Sequence, residues 1–349
     1  MTQQPQRQPY AAGPVAALRR IAFLLERGRE DSYKVKAFRA AAAALLPMSD
    51  EEVQTAVAAG TLTTLPGIGA STAAVIEQAA AGEIPDRLAR LEEQYGGELT
   101  TGGSELRQAL RGDLHSHSDW SDGGSPIEEM TFTAMELGHE YLVLTDHSPR
   151  LKVARGLSAE RLAKQLGVID ALNEHLGGPF TLLKGIEVDI LDDGSLDQTS
   201  EMLARLDVRV ASVHSKLAME KAAMTRRMIA AVRHPFTNVL GHCTGRLVTG
   251  SRGTRVGSQF DAKAVFEACA EEGVAVEINS RPERRDPPTK LLELARDIGC
   301  LFSIDSDAHA PGQLDFQIYG CERAEAAGID PDRIVNTWPK DRLLAWSHG

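Results

Sequence analysis

Aromatic residues are scarce in this chain: Phe, Trp and Tyr make up 5% of its 349 residues. A core must therefore be built from Leu, Val, Ile and Ala, and the 42% hydrophobic content allows one. Cysteine is also rare. Cys243, Cys269, Cys300 and Cys321 form no C-x-x-C pair, which excludes a disulfide frame and reads as the reduced thiols of a cytoplasmic protein. No run of about 18 apolar residues occurs, so no membrane span is expected. The polar stretch Met1–Pro9 lacks the apolar core of a signal peptide. Basic charge is short overall: the net charge is −11, which argues against a surface coated for nucleic acid. Residues 1–40 depart from that average, with eight Lys or Arg against three acids. At this length the chain can hold one large domain and a smaller one.

Four segments follow from the local pattern. Residues 1–13 are rich in Gln, Pro and Gly and read as a disordered tail. Residues 14–96 read as a small all-α domain. Val15, Leu18, Ile21, Ala22 and Leu25 recur at three- and four-residue spacing after Pro14, which suits a first helical turn. Gly28 is the expected break, a second helix runs from about Asp31 to Leu46, and Ser49 followed by Asp50, Glu51 and Glu52 reads as a helix cap. The Gly/Thr-rich residues 97–110 read as a linker. In residues 111–349 short apolar runs alternate with helical stretches at 126–137, 158–174, 197–205, 222–233, 261–272 and 288–298. Alternating βα units predict an α/β fold with a parallel sheet and helices outside.

What the chain does have is a repeated ending to those apolar runs. They close on Asp113-Leu114-His115-Ser116-His117, Thr145-Asp146-His147, Gly185-Ile186-Glu187, Ser212-Val213-His214, Gly241-His242, Glu277-Ile278-Asn279 and Asp305-Ser306-Asp307-Ala308-His309. Polar residues at the C-terminal ends of seven strands suit a closed (β/α)7 barrel, because that end carries the active site in barrels of this kind. His115 and His117 fall on one side of a strand of period two and can grip one ion together. Nitrogen and oxygen donors in this number suit Zn, Mn or Fe. His139, His175, His234 and His348 fall in helices, in loops or at the terminus and read as structural.

Residues 111–345 resemble a PHP (polymerase and histidinol phosphatase) domain, and most resemble the one that ends bacterial family X DNA polymerases. The matching stretches include Asp113–Gly123 (DLHSHSDWSDG), Leu144–Ser148 (LTDHS), Gly185–Ile190 (GIEVDI), Ala211–Ser215 (ASVHS), Leu240–Arg246 (LGHCTGR), Glu277–Ser280 (EINS) and Asp307–Ala310 (DAHA). The resemblance implies a seven-stranded PHP barrel and three divalent ions held by nine ligands. His115, His117, Glu187 and Asp307 would hold one ion, Glu187, His214 and His242 a second, and Asp122, His147 and His309 a third. Such ions lower the pKa of a bridging water to give a hydroxide nucleophile. Arg155, Lys216 and Arg246 follow strand ends in loops and are the expected phosphate anchors. Cys243 stands where family members commonly carry proline; its thiol is either a packing substitution or a soft extra ligand.

Leu65-Pro66-Gly67-Ile68-Gly69 before a helix resembles a helix-hairpin-helix motif, in which Gly67 and Gly69 would let backbone N–H groups approach a DNA phosphate. Lys34, Lys36 and Arg39 add a basic patch. Residues 14–95 thus resemble the first module of a family X polymerase, and residues 111–345 its last. No paired-Asp polymerase motif stands between them. The function expected is hydrolysis of DNA phosphoester bonds in repair, as a 3′–5′ exonuclease or in processing 3′ ends, gaps or abasic sites. A small-molecule phosphatase of histidinol-phosphatase type and a non-catalytic DNA-binding protein are the alternatives. The sequence sets no oligomeric state.

Overall fold

The computed structural model describes residues 13–250 and 253–349. They divide into two compact units between Glu98 and Leu99. The expected tail lies outside the described residues, except for Gly13, which opens the first helix.

The first unit holds α1 (Gly13–Arg27), α2 (Ser32–Leu45), α3 (Asp50–Ala58), α4 (Ala70–Ala80) and α5 (Asp86–Tyr95). α1 is central and packs on α2, α4 and α5. Its Leu18, Ile21, Leu24 and Leu25 are buried among Phe38, Ile76 and Leu88, each such side chain contributing about 1.5–3 kcal/mol by leaving water. Ser49 caps α3 in a full capping box with Glu52. Gly28 does end α1, but not through its own backbone angle. Arg29 takes the left-handed conformation (φ 58°), while a Cβ on Gly28 would lie 2.7 Å from the Tyr95 ring. The glycine is there for close packing against α5.

The second unit begins with a difference from expectation. Residues 104–109, inside the expected linker, form α6 (Ser104–Ala109). Glu325 explains the helix: its carboxylate accepts from Gly103 N at 2.7 Å and Leu106 N at 3.4 Å, satisfying backbone donors at the helix start. Leu106 and Leu110 are buried beneath it.

Then come β1 (Gly112–Ser116), α7 (Ile127–Glu136), β2 (Tyr141–Leu144), α8 (Ala159–Leu176), β3 (Thr181–Asp189), α9 (Ser200–Leu203) and β4 (Val208–Ser212). They continue with α10 (Lys221–Val232), β5 (Val239–Leu240), α11 (Ala262–Glu272), β6 (Ala275–Asn279), α12 (Thr289–Ile298), β7 (Phe302–Asp305), α13 (Gln317–Ala326) and α14 (Lys340–His348). All seven strands pair in parallel in sequence order. β1 and β7 meet through a bridge between Ser116 and Ala308 and a bond from His117 N to Ala308 O at 2.8 Å, which nearly closes the barrel. α9 is shorter than the expected 197–205. Leu196 bridges back to Ile190, and Asp197 accepts from Ser148 Oγ and Arg150 N, so the helix starts later.

The barrel interior at the N-terminal end is apolar: Leu114, Tyr141, Val143, Val208, Val210 and Val239 meet Val335, Trp338 and Leu343. Asn336 ties this end together. Its amide donates to Gly112 O, Ile304 O and Asp305 Oδ1 and accepts from Ile304 N. The opposite end is polar. No described helix is long and apolar enough to cross a membrane.

Candidate functional site

Each ligand expected from the sequence lies at or just beyond a C-terminal strand end, and parallel pairing puts all seven ends on one face. His115 lies in β1 next to its final residue, Ser116, with His117 one step beyond; Glu187 lies in β3; His147, His214, His242, Asp307 and His309 follow β2, β4, β5 and β7. Asp122 comes from the loop after β1. Their donor atoms gather in three groups: His117, Asp122, His147 and His309; His115, His117 and Asp307; and His147, Glu187 and His214. His242 joins through Nε2, 2.8 Å from Glu187 Oε1. The grouping differs from the one the resemblance implies. His117 also faces the Asp122 group, and His147 leans toward Glu187, its Nδ1 2.8 Å from Oε2.

The spacing of these atoms is the test of whether the site suits metal. Imidazole nitrogens and carboxylate oxygens bind Zn at about 2.0–2.2 Å, so two ligands of one tetrahedral ion stand roughly 3.4 Å apart. Asp122 Oδ1 lies 3.3 Å from His147 Nε2 and 3.4 Å from His309 Nε2. His117 Nε2 lies 3.5 Å from Asp307 Oδ1, and His115 Nε2 lies 3.4 Å from Glu187 Oε2. These separations exceed an ordinary hydrogen bond. The ring nitrogens of His117, and Nε2 of His115, are buried without any hydrogen bond, which buried polar atoms rarely tolerate. The residues fit divalent ions.

The field points the same way. Burial works against a charge on His115 and His147, yet neighbouring carboxylates outweigh it. Glu277, Glu187 and Asp307 hold His115 well above its ordinary value, and Glu187 and Asp122 push His147 up to about 10. Burial would raise Glu187, but His214, His115 and His147 hold it far below the usual carboxylate range. The pocket thus draws positive charge.

A second layer orients the donors. Glu277 Oε1 holds His115 Nδ1 at 2.5 Å, which turns Nε2 inward. Asn279 Nδ2 and Arg284 Nε each donate to Asp307 Oδ2 at 3.0 Å. Asp146, fully buried, accepts from Ser118 and Ser121 hydroxyls and from Gln165, fixing the loops that carry Asp122 and His147. Burial raises the Asp146 carboxyl above its usual value, against those hydrogen bonds. Cys243 is not among the donors. Its buried thiol faces Asp286 Oδ1 at 3.8 Å and sits in the apolar core; burial, with Asp286 nearby, holds it well above its ordinary value. It is a packing residue.

The cations expected to bind phosphate are placed elsewhere. Arg155 is exposed on a left-handed turn, and Lys216 Nζ pairs with Asp192 at 2.5 Å. Arg246 donates to the carbonyls of Arg284 and Arg285. It supports a loop rather than facing the donors. A cavity of about 290 Å³ opens over the donors, and its cations are Arg255, Arg281 and Arg284. Leu151, Val153, Ala154, Val213 and Leu217 form its apolar wall. The sequence signal for two of the arginines was close at hand: Arg281 and Arg284 stand within a few residues of Glu277–Ser280.

In the helical unit, Lys34 and Lys36 are exposed, and Lys34 pairs with Glu30, four residues earlier, at 2.8 Å at the surface. Arg39 is turned inward and grips the buried Glu26 with two bonds of 3.1 and 2.8 Å. Its charge is committed to the fold, which corrects its place in the expected basic patch. Gly67 turns with φ 87°, and a Cβ there would meet Ala40 O at 3.2 Å. The Gly69 amide is capped by Thr72 Oγ1 at 3.0 Å.

Comparison with known proteins agrees with this domain make-up. A helix-hairpin-helix domain matches residues 12–83 and a PHP domain matches residues 113–281. The DNA polymerase/3′-5′ exonuclease PolX of Bacillus subtilis is 38% identical over 232 residues, 66% of this chain and 40% of the relative. This chain therefore spans less than half the length of that protein. A probable phosphatase of Thermoanaerobacter sp. (strain X514) is 28% identical over 240 residues, 64% of this chain and 89% of the relative. A histidinol phosphate phosphatase from Lactococcus lactis, solved with Zn, L-histidinol and phosphate, is 18% identical with a TM-score of 0.46, covering 63% of this chain and 95% of that one. By domain and donor set, the second unit is a PHP domain of the metal-dependent phosphoesterase class. The chain joins it to an N-terminal helix-hairpin-helix domain.

Proposed function

We propose that this protein hydrolyses phosphoester bonds at DNA 3′ ends, as a 3′–5′ exonuclease or an end-processing enzyme in repair, with three divalent ions. The observation that carries the reading is the cavity over the donors, lined by three arginines together with five apolar side chains. A terminal nucleotide has a matching make-up, an anionic phosphodiester beside an apolar base and sugar. The helix-hairpin-helix domain and the PolX relative support DNA as the polymer.

The nine donors from His115 to His309 would hold the ions. When bound, these supply positive charge against the phosphate oxygens and acidify a water. The chain's own residues do the rest. Glu277 keeps a proton on His115 Nδ1 and so presents its Nε2 lone pair. His309 Nδ1 faces Asp307 O at 2.9 Å, which leaves Nε2 toward Asp122. Arg255, Arg281 and Arg284 orient phosphate oxygens. The apolar wall, with Val153 at its rim, seats the base and excludes water.

A second reading, a small-molecule phosphatase, is favoured by the Thermoanaerobacter relative, nine-tenths of whose length is matched. The two readings separate in one assay of the full chain loaded with Mn or Zn, using end-labelled DNA with a recessed 3′ end beside histidinol phosphate, and His115→Ala as control. Stepwise loss of 3′ nucleotides, absent in the control, is the expected result. Phosphate release from histidinol phosphate with intact DNA would move the protein to metabolism.

A further inference from the structure

The loop after β6 faces two cavities. Arg281 lines the metal cavity and also a second one of about 240 Å³, with Asn279, Ser280, Pro282, Arg285, Tyr319, Glu322 and Arg323. Three guanidiniums thus meet around this second cavity in a chain of net charge −11. They are held in different ways. Arg323 is anchored by the carbonyls of Asn279, Asp286 and Pro287. Arg281 reaches back to Asp307 O at 3.3 Å and stands 3.0 Å from His309 Nδ1. Arg285 is exposed, makes no ion pair among the described residues, and is presented by a left-handed backbone (φ 48°). The one carboxylate there, Glu322, is half-buried and accepts from Thr101 N. Tyr319 supplies an aromatic side.

A single-phosphate metabolite has no use for a second cationic cavity next to the first. A nucleic-acid strand does, because its phosphates repeat and each carries a sugar and base. We propose that the cavity under Arg285, Arg323 and Tyr319 is a second nucleotide subsite. It takes the phosphate and sugar adjacent to the terminal nucleotide, and Arg281 is the shared post between the two phosphates. The proposal rests on the DNA reading of the metal cavity and adds to it the path of the strand.

Arg285→Glu and Arg285→Ala test it in the full-length chain, since the side chain is exposed and unpaired and the fold does not depend on it. Two substrates are compared. The p-nitrophenyl ester of thymidine 5′-monophosphate needs only the metal cavity, and a short oligothymidylate needs both. Arg285→Glu is expected to weaken oligothymidylate binding about ten-fold or more. Arg285→Ala is expected to reduce the salt slope of that binding by about one. Neither should change kcat/KM on the ester. The same charge reversal at Arg226, exposed on α10 and outside both cavities, should leave both substrates alone. Unchanged oligothymidylate affinity and salt slope in the Arg285 variants would overturn the subsite. Equal losses on ester and oligothymidylate would also overturn it, by placing Arg285 in the metal cavity. A wild type inert on both substrates would sink the DNA reading itself, while the binding comparison still decides the subsite.

Discussion

The helical unit and the barrel treat buried charge in opposite ways. In the helical unit Glu26 is buried and Arg39 closes over it in a two-bond pair. Nothing is left to bind. In the barrel Glu187 is equally buried, but it faces His115, His117, His147, His214 and His242 at 2.8–3.6 Å. Several of those imidazole nitrogens make no hydrogen bond. A closed pair serves the fold; one carboxylate shared among five imidazoles, several of whose nitrogens make no hydrogen bond, suits a ligand. The difference lies in stoichiometry and spacing, not in burial.

The sharpest way to break this comparison is to neutralise each acid's role. Glu187→Gln should leave the fold intact, cut bound metal measured by elemental analysis, and abolish phosphoesterase turnover. A variant that keeps full metal and activity would show that Glu187 is no more than a packed ion-pair partner. In the helical unit, Arg39→Ala should cost about 3–5 kcal/mol, because it removes one partner of a buried two-bond ion pair. Denaturant unfolding of the chain reads that loss. A loss of DNA affinity with unchanged stability would return Arg39 to the DNA surface.

How far the sequence carried this division is instructive. Eight of the nine candidate donors were legible because parallel strands in a barrel all end at one face, so a polar residue closing an apolar run needs no further geometry; Asp122, in the loop after β1, came only through the family resemblance. The hairpin and the cap at Ser49 were legible because their signals are local. The charge partners were not. Arg39 looks like Lys34 and Lys36 in the sequence, yet a helical turn puts it opposite Glu26, thirteen residues earlier. Arg246 follows a strand end just as a ligand would, but its guanidinium meets carbonyls of the loop after β6. Arg255 comes from a loop without period, and its place over the donors depends on how that loop folds back through the Leu247–Arg255 bridge. Asn336 and α6 were hidden because polar contacts with residues distant in sequence, not periodicity, hold them.

Two smaller effects sharpen the contrast. His139, in the turn before β2, is buried with both ring nitrogens unbonded, but no acid faces it. Burial, helped by the Arg107 charge, lowers it to about 3. The unfolded chain therefore binds more protons between about pH 6.5 and pH 3, so stability present at neutral pH is lost as pH falls through that window. Wild type should lose about 2 kcal/mol more than His139→Leu between pH 7 and pH 5; parallel curves would show that the folded ring protonates freely. Smallest is Cys243→Ala. It should cost about 1 kcal/mol of stability through lost packing and leave metal content unchanged. A fall in bound metal would make the thiol a ligand after all.

The most direct test of the central claim is anomalous X-ray scattering from crystals of the full chain, measured at the Mn, Fe and Zn edges. Three peaks are expected. They should lie among Asp122, His147 and His309, among His115, His117 and Asp307, and among Glu187, His214 and His242. A metal-replete crystal with no anomalous density beside Glu187, its imidazoles closed instead into ordinary hydrogen bonds, would contradict the account.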